Sequence, residues 1–257
     1  MMTTAVHEVL PELDAFVHAV QSRRPDAGTW CEAWTTRDIL VHQTGNAEEM
    51  ARVLAAHLAG SPVTTRGFTE REGPIRALGD TDLWAAFADR CERLAEVAQS
   101  GENALSPDEQ ISWTGRIVTP AFFAEHMREE LVLHRWDLAG DDSTAVRALA
   151  EPWMTTHTVQ LVGQPLLKRG AAALDLAAGQ RIEGRLRAPG SDDVVVTAGS
   201  EGTTITLAKP EGPATISSDP AVRTLFLWGR RPADFTRWHS DAGPEELRNL
   251  RTLLSGY

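Results

Sequence analysis

Hydrophobic and polar positions recur with two different periods along this chain, and the change between them divides it. Over the first two thirds the period is helical. Val9, Leu10, Leu13, Phe16, Val17 and Val20 fall at three- and four-residue spacing and predict a first helix over about residues 5–22. The loop "SRRPDAGTWCEAW" follows. A second helix begins at "WTTRD", where Thr35 can cap and Asp38, three residues on, completes a capping-box pattern. It runs through "ILVHQTGNAEEMARVLAAHLAG" to Gly60, a suitable C-terminal glycine. Residues 61–80 read as a polar connection. A third helix starts after Asp80 and ends before Gly101, and "ISWTGRIVT" is a short extended segment. Pro120 suits the first turn of a fourth helix, "PAFFAEHMREELVLHRWDLAG", which ends at Gly140. A further helical stretch runs from about Ser143 to Lys168, bent by Pro152 and Pro165.

Beyond "KRGAAAL" the period shortens to two. "QRIEGRLRAPGSDDVVVTAGSEGTTITLAKPEGPATIS" alternates apolar and polar residues around turn signals at "PGSDD" and "SEGT", and predicts three or four antiparallel strands. Two short helices, "DPAVRTLFLWGRR" and "PEELRNLRTLLSG", close the chain. The predicted architecture is α plus α/β: a helical domain over 1–168 and a smaller α/β domain with an antiparallel sheet over 169–257.

Composition narrows the partners. Of 257 residues, 42% are apolar, enough for a core. The net charge of -11, from 36 acids against 25 basic residues, disfavours nucleic acid and anionic membranes, which both reward clustered Lys and Arg. Cys31 and Cys91 fit no CxxC pattern, as expected of a reduced, cytoplasmic chain. The N-terminus lacks the basic-then-apolar order of a signal peptide, and no run of ~18 apolar residues predicts a membrane span. The expected state is a monomer acting on a small molecule.

The chemistry concentrates in the fourth helix. Glu130 and His134, four residues apart, share one helical face with His126, and the flanking Leu131, Val132, Leu133 and Trp136 make that helix apolar. Taken alone, Glu130 and His134 read as an acid–imidazole contact along a helix. The second helix changes this, because His42 stands amid Ile39, Leu40 and Val41. One histidine and one carboxylate–histidine pair from two helices make a three-ligand set with an open fourth position, the arrangement of catalytic zinc.

Three segments carry a resemblance. "WCEAWTTRDILVHQTGNAEEM", "EELVLHRWDL" and "LFLWGRR" are similar, in the same order, to segments of the mycothiol-dependent maleylpyruvate isomerase family. The resemblance implies a DinB-like four-helix bundle of up-down topology, followed by a sterol-carrier-like α+β domain. It implies a divalent metal, zinc first, on His42, Glu130 and His134, with mycothiol as the thiol cofactor. It also implies an arginine from the C-terminal domain, Arg230, with Arg231 beside it as an ambiguity. A coordinating metal deprotonates a thiol that by itself is only a few per cent thiolate near neutral pH, so the protein needs no nucleophilic cysteine of its own. In the family's isomerases the thiolate adds to an activated double bond, and rotation and elimination follow; in related proteins the same thiol displaces a leaving group.

Other residues divide between chemistry and packing. Asn46, one turn after His42, is a candidate for contact with substrate or ligand, and Asp137 for orienting a ligand imidazole. For Trp34, Trp136 and Trp228 burial comes first and pocket lining second, with Trp136 the candidate cofactor contact among them. His126 and Glu49 are weaker candidates, and Arg71 is read as part of a solvated loop. The functions consistent with this pattern are a mycothiol-using isomerase or S-transferase, a non-catalytic binding or stress-related protein of the same fold, and a thiol-independent metal hydrolase.

Overall fold

A computed structural model describes residues 4–255; the side chains of 161–165 lie outside that description. The chain divides into two compact units, 1–140 and 141–257.

The first unit is helical. The predicted first helix is two, α1 (Thr4–Val9) and α2 (Leu13–Gln21), separated at Pro11, whose missing N–H and preceding-residue clash break the helical ladder. The second, α3 (Thr36–Leu58), begins on the predicted capping box: Thr35 accepts from the Asp38 amide, and Asp38 accepts from the Thr35 amide at 2.9 Å. Residues 61–80 hold a helix rather than a simple connection, α4 (Phe68–Arg76), with Pro74 inside it. Its buried positions are Arg71, Glu72 and Ile75, so apolar periodicity could not reveal it. The next helix, α5 (Asp80–Ala104), continues through Gly101, which packs on Leu54 of α3. "ISWTGRIVT" is a hairpin of β1 (Ile111–Trp113) and β2 (Arg116–Val118). Thr114 and Gly115 turn it, both at positive φ (45° and 80°), as a two-residue hairpin loop requires. The central helix α6 (Pro120–Ala139) is buried on most of its circumference, with Phe122, Phe123, Met127 and Leu131 fully enclosed. Helices α2, α3, α5 and α6 pack as a four-helix bundle. Burial of each such Phe, Leu or Ile contributes about 1.5–3 kcal/mol.

The second unit starts earlier than the predicted boundary at 168. Three helical pieces precede its sheet: α7 (Ser143–Leu149), α8 (Pro152–His157) and, after a π-helical turn at Thr158–Val162, α9 (Gly163–Ala172). Pro152 starts α8 at its first turn rather than bending a longer helix, and the bend expected at Pro165 lies outside the described side chains. The π-helical turn and α9 serve the sheet's core: Val159 and Leu167 join Leu186, Val194, Val196, Ile205 and Ile216. The sheet is formed by β3 (Arg181–Arg187), β4 (Asp193–Gly199), β5 (Gly202–Ala208), β6 (Ile216–Ser218) and β7 (Trp238–His239), in the order β5-β4-β3-β6-β7. It has five strands, where three or four antiparallel ones were predicted, and β3 and β6 run parallel. The closing helices are α10 (Pro220–Leu227) and α11 (Pro244–Leu253). Thr224 Oγ1 on α10 donates to the Leu149 carbonyl at 3.0 Å, which ties α7 into this unit. Among the described residues no helix is long and apolar enough to cross a membrane.

Candidate metal centre

The bundle brings His42 of α3 together with Glu130 and His134 of α6. One ligand atom from each lies within 4.8 Å of the others. Both histidines approach Glu130 Oε2 through Nε2, each at 3.4 Å. The opposite ring nitrogens are held by carboxylates. His42 Nδ1 hydrogen-bonds Glu72 Oε1 at 2.8 Å, and His134 Nδ1 lies 2.8 Å from Asp137 Oδ2. A carboxylate behind Nδ1 keeps the proton on that atom and leaves the Nε2 lone pair facing inward, as in metal sites where an outer carboxylate orients the imidazole.

The electrostatics follow the geometry. Burial pushes the Glu130 carboxyl up, but His134 and His42 outweigh it and hold the group well below the ordinary carboxylate range. Burial pushes the His134 imidazole down, and Asp137 and Glu130 more than reverse this. Glu130 is therefore an anion and a ready donor. Asn46 Nδ2 donates to Glu130 Oε2 at 3.0 Å and lies 3.0 Å from His42 Nε2, so Asn46 stands on the inner rim of the cluster. Gln43 adds a longer contact to the same oxygen at 3.3 Å. Trp34 stacks on His134, with centroids 5.6 Å apart and planes 7° apart, and meets the His42 ring edge-on. Phe68 of α4 covers the His42 ring from another side, at 5.6 Å. Two imidazoles and one carboxylate, preoriented from behind and walled by aromatic rings, are a donor set that fits a divalent metal of the zinc type with one position left open.

The remaining candidates separate by where they lie. Trp136, expected to contact a cofactor, is 1% exposed and packs on Trp30, which makes it a core residue. Trp228 is also buried, its Nε1 donating to Thr158. His126 Nε2 reaches only 3.9 Å from Glu130 Oε1. Glu49 is fully buried in an ion cluster with Arg52 and Arg66, away from any ligand role. Arg230 is half-buried in the second unit, its backbone bonded to Leu225 and its Nη1 3.4 Å from the Trp228 carbonyl. Sequence reasoning missed two residues. Glu72 orients His42, and Arg71, expected in a solvated loop, is buried on α4. Both follow from α4 itself, whose polar buried face carries no periodic signal.

Residues 6–139 match the model of the mycothiol maleylpyruvate isomerase N-terminal domain. The chain belongs to this family. The matched span coincides with the first unit and contains the whole triad. The family's fold extends over the rest as well. A crystal structure of a histidine-to-alanine mutant of the mycothiol-dependent maleylpyruvate isomerase aligns over 95% of this chain and 98% of its own, with a TM-score of 0.59 at 15% identity. A second crystal structure of that isomerase aligns over 90% and 94%, with a TM-score of 0.56 at 16% identity. No curated protein matches the chain.

Proposed function

We propose that this family member is a metal-dependent enzyme that uses a low-molecular-weight thiol of the mycothiol type for isomerisation or S-transfer on a small electrophile. The observation that carries this reading is the triad of His42, Glu130 and His134, with each imidazole backed by a carboxylate. A divalent metal on these residues supplies the charge that turns a coordinating thiol into thiolate at neutral pH.

The chain's own residues then have distinct tasks. Glu72 and Asp137 hold protons on the outer nitrogens, so the two imidazoles act as neutral donors. Asn46 and Gln43 hold Glu130 in place by donating to its Oε2. The Asn46 amide is also placed to hydrogen-bond a group held at the cluster. Trp34 stacks on the His134 ring and Phe68 lies against the His42 ring, so both aromatic side chains line the approach to the imidazoles. Arg230 is proposed as an anion-binding residue of the same reaction, supported by the resemblance of its segment.

Metal analysis of protein purified without a histidine tag is the direct test. We expect close to one divalent ion per chain, lost in His42→Ala and His134→Ala, and a rise in Tm on adding mycothiol to wild type only when metal is present. Metal-free protein whose metal content no substitution changes would overturn the site. Turnover without added thiol would move the assignment to a hydrolase. A Tm that answers only to an apolar ligand would indicate a binding protein.

A further inference from the structure

Arg71 occupies a position that the proposed reaction does not yet use. It is 6% exposed, yet its guanidinium makes no hydrogen bond or ion pair with any described residue, and Nε is buried without a partner. A buried Nε–H without a partner is costly, because it has left water and no acceptor replaces it. The neighbouring acids do not serve it. Glu72 gives its oxygens to His42 and Arg76, at 2.8 and 2.9 Å. Glu49 is taken by Arg52 and Arg66, at 2.6 and 2.7 Å. Glu130 accepts from Asn46 and Gln43 and faces the two imidazoles.

The guanidinium is nonetheless held in place. Its Cζ lies 4.3 Å above the Phe68 ring, and that ring lies 5.6 Å from the His42 imidazole. Among the charges acting on Arg71, Glu130 is the foremost carboxylate. Guanidinium, aromatic platform and metal ligand thus form one contiguous wall, and Phe68 at its edge is 61% exposed, which leaves an approach from solvent.

We propose that Arg71 is the carboxylate-recognition residue of the site, receiving a carboxylate of the electrophilic substrate in a two-point, charge-assisted contact beside the metal cluster. This rests on the function proposed above and adds to it the residue that receives the substrate's carboxylate, on the wall that Arg71 shares with Phe68 and His42.

Maleate and its uncharged dimethyl ester serve as probes, titrated by calorimetry into metal-loaded wild type, Arg71→Gln, Arg71→Lys and Phe68→Ala, with metal content measured on each sample. Maleate is expected to bind wild type and to bind Arg71→Gln about tenfold to a hundredfold more weakly, the range for losing a charged hydrogen-bond pair. Arg71→Lys should recover part of that affinity, and Phe68→Ala, at an exposed position, should weaken maleate severalfold without unfolding the chain. The ester should not distinguish wild type from Arg71→Gln. Metal-loaded variants that bind maleate as well as wild type does would overturn the role of Arg71. Protein that takes up no metal would instead overturn the triad, so the two failures are separable.

Discussion

At the scale of single residues, the cluster depends on atoms that never touch the metal position. His42 and His134 each need a proton on Nδ1, and Glu72 and Asp137 are the groups that hold it there. Replacing such an outer carboxylate costs about 10–100-fold in metal affinity in comparable sites. Glu72→Gln and Asp137→Asn are therefore expected to release metal to a chelator at about tenfold lower chelator concentration, with helical circular dichroism unchanged; equal retention by both variants would show that the imidazoles orient themselves. The three candidate ligands were legible in the sequence because Glu130 and His134 share a helical face by spacing alone, and His42 stands out in an apolar run. Asp137 was visible for the same reason, three residues from His134. Glu72 was not, because it meets His42 across 30 residues of chain, and no local period encodes that distance.

At the scale of elements, α4 is what turns a bundle into a site. It lies close to α3 because Gly45 has no side chain: a Cβ there would sit 3.2 Å from Glu72 Cγ and 3.7 Å from Arg71 Cγ. Glu72 has little freedom to yield, being pinned by His42 and Arg76. Gly45→Ala, which improves helix propensity by about 1 kcal/mol, is thus expected to weaken metal binding severalfold without raising Tm by the corresponding amount, as read by chelator competition and calorimetry. The loop entering α4 is tied to α3 by the Glu48, Glu49, Arg52 and Arg66 cluster. Burial pushes the Glu49 carboxyl up, but Arg52 and Arg66 outweigh it and hold the group below its ordinary 4.5. A carboxyl depressed in the folded state binds its proton more weakly there than in the unfolded chain, so it contributes stability above the ordinary value and loses it as pH falls through the folded one. The Tm of wild type should therefore decline on acidification below about pH 4.5, and Glu49→Gln should be less stable at pH 7 by on the order of 2 kcal/mol, with a flatter decline. Parallel profiles for the two proteins would remove Glu49 from the account. The single helix expected over 5–22 overlooks the break that Pro11 signals, and the single extended segment overlooks the turn that Gly115 signals, whereas α4 carries no such local mark, since its buried face is Arg71, Glu72 and Ile75.

At the scale of the whole molecule, the candidate metal cluster lies within one of the two units. The triad and both orienting carboxylates fall within residues 1–140, while the five-stranded sheet and its own core fall within 141–257. A metal bound only by the folded state stabilises it by about 2.7 kcal/mol at a hundred times its Kd. Added metal should therefore slow amide exchange in α3 and α6; exchange that slows equally in β3, β4 and β5 would mean that the ion acts elsewhere. The net charge of -11 is consistent with a small-molecule partner and does not bear on the fold. What the sequence by itself determined was whatever depends on local period and local chemistry: the bundle helices, the capping box at Thr35, the alternating strands, and three candidate ligands whose segments resemble one family. The tertiary structure alone decided what depends on two segments meeting. It assigned α7 to α9 to the unit that holds the sheet, paired β3 with β6 in parallel, and brought α4 against α3, so that Glu72 stands behind His42 and Arg71 is enclosed on the same helix. The physical reason is that a side chain's partner across a fold is chosen by packing, whereas residue spacing records only which face of its own element it occupies.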